Sequence, residues 1–135
     1  MITIERYQSP PGAGRVIVHN GIAQFPSLSA SNCSADIRGQ TRDILSRFDR
    51  FLGQLGCDRS RLLNAIVWLR HIEDAKAVGT VWESWIGPAY HLPPATVEGQ
   101  CQADGALVES RSLSPVLAHH TGATDRGAGY FSYLT

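Results

Sequence analysis

Glu109 follows the apolar run Ala106-Leu107-Val108 and stands two residues before Arg111. A carboxylate in such a strand must face solvent, a partner or a site, because an unpaired buried charge is costly. A single carboxylate in a partly dry cleft is suited to acid/base work: desolvation lifts its proton affinity toward the working pH, and a neighbouring arginine lowers it again. Upstream, Asp104-Gly105 is a strong two-residue turn signal. It predicts a hairpin in which Gln100 lies opposite Glu109 and Glu98 opposite Arg111. Glu98, Gln100, Glu109 and Arg111 then share one face, and Val97, Gly99 and Cys101 share the other with Val108.

Other chemistries find little support. The three cysteines, Cys33, Cys57 and Cys101, are widely spaced and form no CxxC pair, so they read as free thiols in a reducing compartment rather than zinc or disulfide ligands. Cys101, on the core side of the derived hairpin, reads as an inert buried thiol. His19 and His71 fall at strand ends, and the adjacent His119-His120 lack further ligands, so no metal site is expected. No glycine-rich nucleotide motif appears, and no cofactor is expected. Trp68, Trp82 and Trp85 read as core or interface packing. Lys+Arg and Asp+Glu are equal at 12 each, which leaves no basic field to gather nucleic acid or an anionic membrane. The N-terminus resembles no signal peptide and no apolar run is long enough to span a membrane. The expectation is a soluble, cytoplasmic protein.

The elements that must position Glu109 follow from periodicity. With 135 residues, 43% hydrophobic and 18% charged, the chain fits one domain with a two-layer core. Residues 2–7 alternate as a strand, and Val16-Ile17-Val18 and Ile22-Ala23-Gln24-Phe25 flank Asn20-Gly21 as an antiparallel hairpin. Ile37, Ile44, Leu45, Phe48, Leu52 and Leu55 make a helical stripe, with Ser34 as cap, Asp36 complementing the dipole and Gly56 as stop. Residues 62–69 are apolar at both parities, as a strand covered on both faces requires. Ala75, Val78, Val81, Trp82, Trp85 and Ile86 form a second helix stripe ended by Pro88, and the closing hairpin occupies about 95–116. The pattern predicts an α+β two-layer sandwich: a mainly antiparallel sheet with two helices on one face. Another copy of the chain is the simplest cover for the other face. Residues 117–135, rich in glycine and ending in aromatics, read as a tail appended to a domain at 1–116.

The ordered set Arg38-Gly39-Gln40-Thr41-Arg42, Leu63-Asn64-Ala65-Ile66-Val67-Trp68-Leu69, Val81-Trp82-Glu83-Ser84-Trp85 and Gly105-Ala106-Leu107-Val108-Glu109 resembles the RidA (YjgF-type) family, as a divergent member. The resemblance implies a chorismate-mutase-like fold, a homotrimer with sheets facing inward, and small-molecule sites at the subunit interfaces. It also implies hydrolysis of reactive enamines and imines to ketones and ammonia, a deaminase chemistry in which the carboxylate matching Glu109 activates water. The family's substrate-carboxylate arginine has no counterpart: Pro93-Pro94-Ala95-Thr96 stands there, Gly79 replaces a helix asparagine, and Pro26-Ser27 replaces a small-residue turn. Neither proline nor threonine reproduces an arginine fork, so ordinary α-imino acids are expected to be poor substrates. Arg111, His91 near the missing arginine, Gln100 and Thr96 are the candidate substrate contacts beside Glu109. The alternative is a non-catalytic metabolite-binding or regulatory trimer. Ribonuclease activity, described for some members, is not expected without a basic patch.

Overall fold

The computed structural model describes residues 4–6 and 16–116; the tail expected at 117–135 lies outside them. The chain first folds as its turn residues require. Asn20 at φ 52° and Gly21 at φ 77° turn β2 (Ile17–His19) into β3 (Ile22–Gln24), the left-handed pair of a type I′ hairpin turn. β1 (Ile4–Arg6) pairs antiparallel with β2, and β3 pairs antiparallel with β7 (Val108–Pro115). Past Pro26, β4 (Leu28–Ser29) joins β7 further along.

α1 (Ile37–Gln54) buries Ile44, Leu45, Phe48, Phe51 and Leu52, the face that its spacing predicts. Its cap is Asp36, not Ser34: Asp36 Oδ1 accepts from Gly39 N at 2.8 Å. Ser34 instead donates its N–H to Asn32 Oδ1 in the preceding turn. α2 (Ala75–Ile86) buries Val78, Val81, Trp82 and Ile86. These helices make one core with Val67, Leu69 and Val108 of the sheet, and Phe25 stacks on Phe51 at 5.4 Å. No helix among the described residues is long and apolar enough to cross a membrane.

The α+β plan holds, but the closing hairpin does not form. β5 (Asn64–Leu69) lies between β7 and β6 (Ala95–Glu98), antiparallel to the first and parallel to the second. The sheet order is β1-β2-β3-β7-β5-β6. The physical reason is α2, which crosses over the sheet between β5 and β6, and a strand–helix–strand crossover delivers its second strand parallel to the first. Asp104-Gly105 is still a turn: Ala106 N donates to Ala103 O at 3.1 Å, and Gly105 takes φ 75°. It turns a loop, 99–107, that passes over the end of β5. Gly99 N donates to Leu69 O and Arg70 N to Leu107 O, at 2.9 and 3.0 Å, which ties the loop to that strand end.

The sheet therefore has two unlike faces. Ala65, Val67 and Leu69 of β5 and Val108 of β7 are buried toward the helices. Asn64, Ile66 and Trp68 point the other way, directly opposite Leu113, Arg111 and Glu109, and no described element covers this side.

Candidate functional site

Glu109 occupies the open face of β7, opposite Trp68 of β5. It is only 9% exposed, so its charge needs partners, and the loop over β5 supplies them. Gln102 N donates to Glu109 Oε1 at 2.6 Å and Ala103 N donates to the same oxygen at 3.3 Å. The other oxygen, Oε2, accepts no bond among the described residues and is not sealed from solvent. One oxygen is thus held by peptide donors and the other is left to exchange a proton with a ligand or water. That is the geometry of an oriented acid/base.

Arg111 lies two residues along the same face, about 6–7 Å further on, opposite Ile66. Its exposed guanidinium forms no ion pair among the described residues; the one there joins Arg59 and Asp49. Beside it is a hollow of about 280 Å³ lined by Gln24, Asn64, Ile66, Trp68, Ser112 and Leu113. Two amides, one guanidinium and an apolar floor fit a small molecule with one polar end. Below the loop, Cys101 is 3% exposed. Burial pushes its thiol up from the ordinary value, and the Glu109 charge adds to this against a smaller opposing effect from Arg70.

The other candidates are elsewhere. Because β6 runs parallel to β5 with Val67 beside Thr96 and Leu69 beside Glu98, Thr96 and Glu98 face the helices, not Glu109. Glu98 Oε2 accepts from Ile72 N at 2.8 Å and anchors the turn before α2. Val97, expected on the core side, is 46% exposed on the open face. Gln100 is exposed in the loop. His91 and Thr96 do come together, in a second hollow of about 200 Å³ between α2 and β6, with Val78, Gly79, Trp82, Leu92, Pro93 and Pro94. The expected five-residue site therefore divides: Glu109 with Arg111 on the open face, His91 with Thr96 behind the sheet, and Gln100 with neither.

Four residues near Glu109 are not among the candidates. The peptide N–H groups of Gln102 and Ala103 carry no side-chain signature. Trp68, grouped with Trp82 as packing, splits from it: Trp82 is buried, with Nε1 donating to Leu92 O, while Trp68 is half-buried on the open face. Gln40, fully buried on α1, had a legible signal, since it falls four residues before Ile44 on an otherwise apolar stripe. Among the described residues no group of three His, Cys, Asp or Glu side chains is placed to hold a metal.

Residues 2–111 match the family model described as Endoribonuclease L-PSP. A RutC family protein of Haemophilus ducreyi is 33% identical over 85 residues, covering 63% of this chain and 73% of that protein. The RutC family protein YoaB of Escherichia coli is 28% identical over 115 residues, 85% of this chain and all of YoaB. In fold, the crystal structure of a member of the YjgF protein family from Neisseria meningitidis superposes with a TM-score of 0.76 at 23% identity, over 85% of this chain and 96% of that one.

Proposed function

The chain belongs to the RidA/YjgF family, the Endoribonuclease L-PSP group, and from that premise we propose that Glu109 is the acid/base of a small-molecule site that hydrolyses an imine or enamine, or carries out a related tautomerisation or ring closure. One observation carries the reading: Glu109 Oε1 is held by two peptide N–H groups while Oε2 remains open on the uncovered sheet face. In the hydrolysis, water adds to the imine carbon as Oε2 takes its proton, and the same carboxyl group returns that proton to nitrogen to give a carbinolamine. Oε2 then carries the hydroxyl proton to the amine, the C–N bond breaks as the C=O bond forms, and a ketone and ammonia leave. No redox partner is needed.

The substrate is a specialised one. With Pro93-Pro94-Ala95-Thr96 in place of the family's arginine, and an apolar hollow around Gly79 and Pro94, an ordinary α-imino acid has no guanidinium in its usual place. Two further copies of the chain cover the open face in a homotrimer and turn the Glu109 hollow into an interface cleft. Three free thiols suit a cytoplasmic setting. A charge balance of zero favours a small ligand over RNA.

A second reading is favoured by the same missing arginine: a trimer that binds a metabolite or regulates a partner without turnover. A panel of assays that generate imines and enamines in situ, run on wild type and Glu109→Gln, separates the two. Turnover that vanishes in the variant supports the enzyme; equal background rates support the binder. Sedimentation at micromolar concentration tests the assembly, and a monomer contradicts it.

A further inference from the structure

The 99–107 loop has no regular structure and yet must hold the two N–H groups that orient Glu109. Two side chains from other elements fix it. Gln40 of α1 is 0% exposed. Its Oε1 accepts from Leu107 N at 2.9 Å, and its Nε2 donates to Gly105 O at 3.1 Å. The same Nε2 reaches Cys33 O and Ala35 O at 3.1 and 3.0 Å, so one amide clamps the segment before α1 to the segment before β7. The fit is close: a Cβ on Gly105 would stand 3.2 Å from Cys33 O, on a backbone already at φ +75°. Arg70, just past β5, grips the other side. Its Nε donates to Ala106 O at 2.8 Å, and its Nη2 lies 3.5 Å from Ala103 O.

A buried glutamine is costly unless every polar atom is satisfied, and in this one both polar atoms bond to main-chain groups of two loops. Neither Gln40 nor Arg70 hydrogen-bonds to Glu109. Both act on the peptide units at 103–107, and the adjoining N–H groups of Gln102 and Ala103 bind its Oε1. We propose that Gln40 and Arg70 are positioning residues for Glu109: they set the 99–107 loop so that its two peptide donors fix one carboxylate oxygen and leave the other free on the open face. The inference rests on reading Glu109 as the acid/base. Its chemical consequence is large, because a displacement of about 1 Å in a catalytic group can cost roughly 100-fold.

Hydrogen exchange followed residue by residue tests the chain of dependence without any substrate. In Glu109→Ala, the amides of Gln102 and Ala103 should lose protection while Leu107, held by Gln40, keeps it. In Gln40→Met, of similar length but unable to hydrogen-bond, all three should lose protection by at least about tenfold while the α1 and α2 amides remain protected. Arg70→Met, at an exposed position, should do the same at Gln102 and Ala103 and serves if Gln40→Met does not fold. Arg70→Lys, which can still reach a carbonyl, should restore part of the protection. In the active enzyme, kcat should fall roughly 10- to 100-fold in Gln40→Met with KM within about twofold. Wild-type protection at Gln102 and Ala103 in both loop variants overturns the proposal. So does loss of Leu107 protection in Glu109→Ala, or unchanged kcat with the amides exposed. If the wild type turns over no imine or enamine, the proposed function fails, and the exchange pattern alone decides the positioning.

Discussion

The two hollows of this molecule are built from opposite materials. The one on the open face combines Arg111, Gln24 and Asn64 with an apolar floor from Ile66, Trp68 and Leu113, and Glu109 stands on the same face opposite Trp68. The one between α2 and β6 places His91, Thr96 and Glu83 among Val78, Trp82, Ile86, Leu92 and two prolines. The first has a cation with no ion pair among the described residues, and an oriented carboxylate on the same face. The second has proline and glycine, Pro93, Pro94 and Gly79, in its wall. Proton transfer needs a group held in a fixed orientation within reach of the reacting atom, and on the open face Glu109 has one oxygen held by Gln102 N and Ala103 N. On the proposed function, chemistry belongs to the open face and the α2–β6 hollow serves packing or the shape of a specialised ligand.

The comparison can be broken most easily at Glu109. Glu109→Gln keeps the shape and the bonds to Gln102 and Ala103 but removes the base, so turnover should fall at least about 100-fold. Arg111→Gln should raise KM about tenfold for substrates that carry an anionic group and leave uncharged ones unchanged, the scale of one charged hydrogen bond. Steady-state kinetics with a matched anionic and neutral pair reads this directly. On the other side of the sheet the expected effects are small. Gly79 lies within α2, and a Cβ there would meet nothing within 4 Å. Gly79→Ala should therefore raise stability by about 0.5–1 kcal/mol in denaturant titration, from helix propensity alone, with activity unchanged. His91→Ala should leave kcat/KM within about threefold.

Cys101, buried within the 99–107 loop, supplies a pH test. Because burial favours the neutral thiol, the folded pKa of Cys101 lies above its unfolded value. Its contribution to stability is present below the unfolded value and is lost as pH rises through the folded one. Cys101→Ala should flatten the alkaline decline of stability, followed by thermal melts above about pH 8.5.

What could be read from sequence was whatever depends on local pattern. Asn20-Gly21 set a hairpin turn, the stripe from Ile44 to Leu52 set α1, and Glu109 stood out as a charge in an apolar strand. What failed depended on which strand becomes whose neighbour. Ala95-Thr96-Val97-Glu98 has the same alternation whether it pairs with β7 or with β5, and the turn at Asp104-Gly105 favoured the nearer partner. The strand–helix–strand order of β5, α2 and β6 was the signal for a parallel pairing, and it outweighs a turn motif that can equally bend a loop. That single error of pairing moved Thr96 and Glu98 to the wrong face. It also hid the loop whose peptide groups hold the carboxylate, since backbone donors have no residue type.

The most direct test is the ratio of two variants in one assay. With any imine or enamine that the wild type hydrolyses, kcat/KM of Glu109→Gln should fall at least about 100-fold while that of His91→Ala stays within about threefold. The reverse order, with His91→Ala inactive and Glu109→Gln near wild type, would place the chemistry behind the sheet and contradict the account.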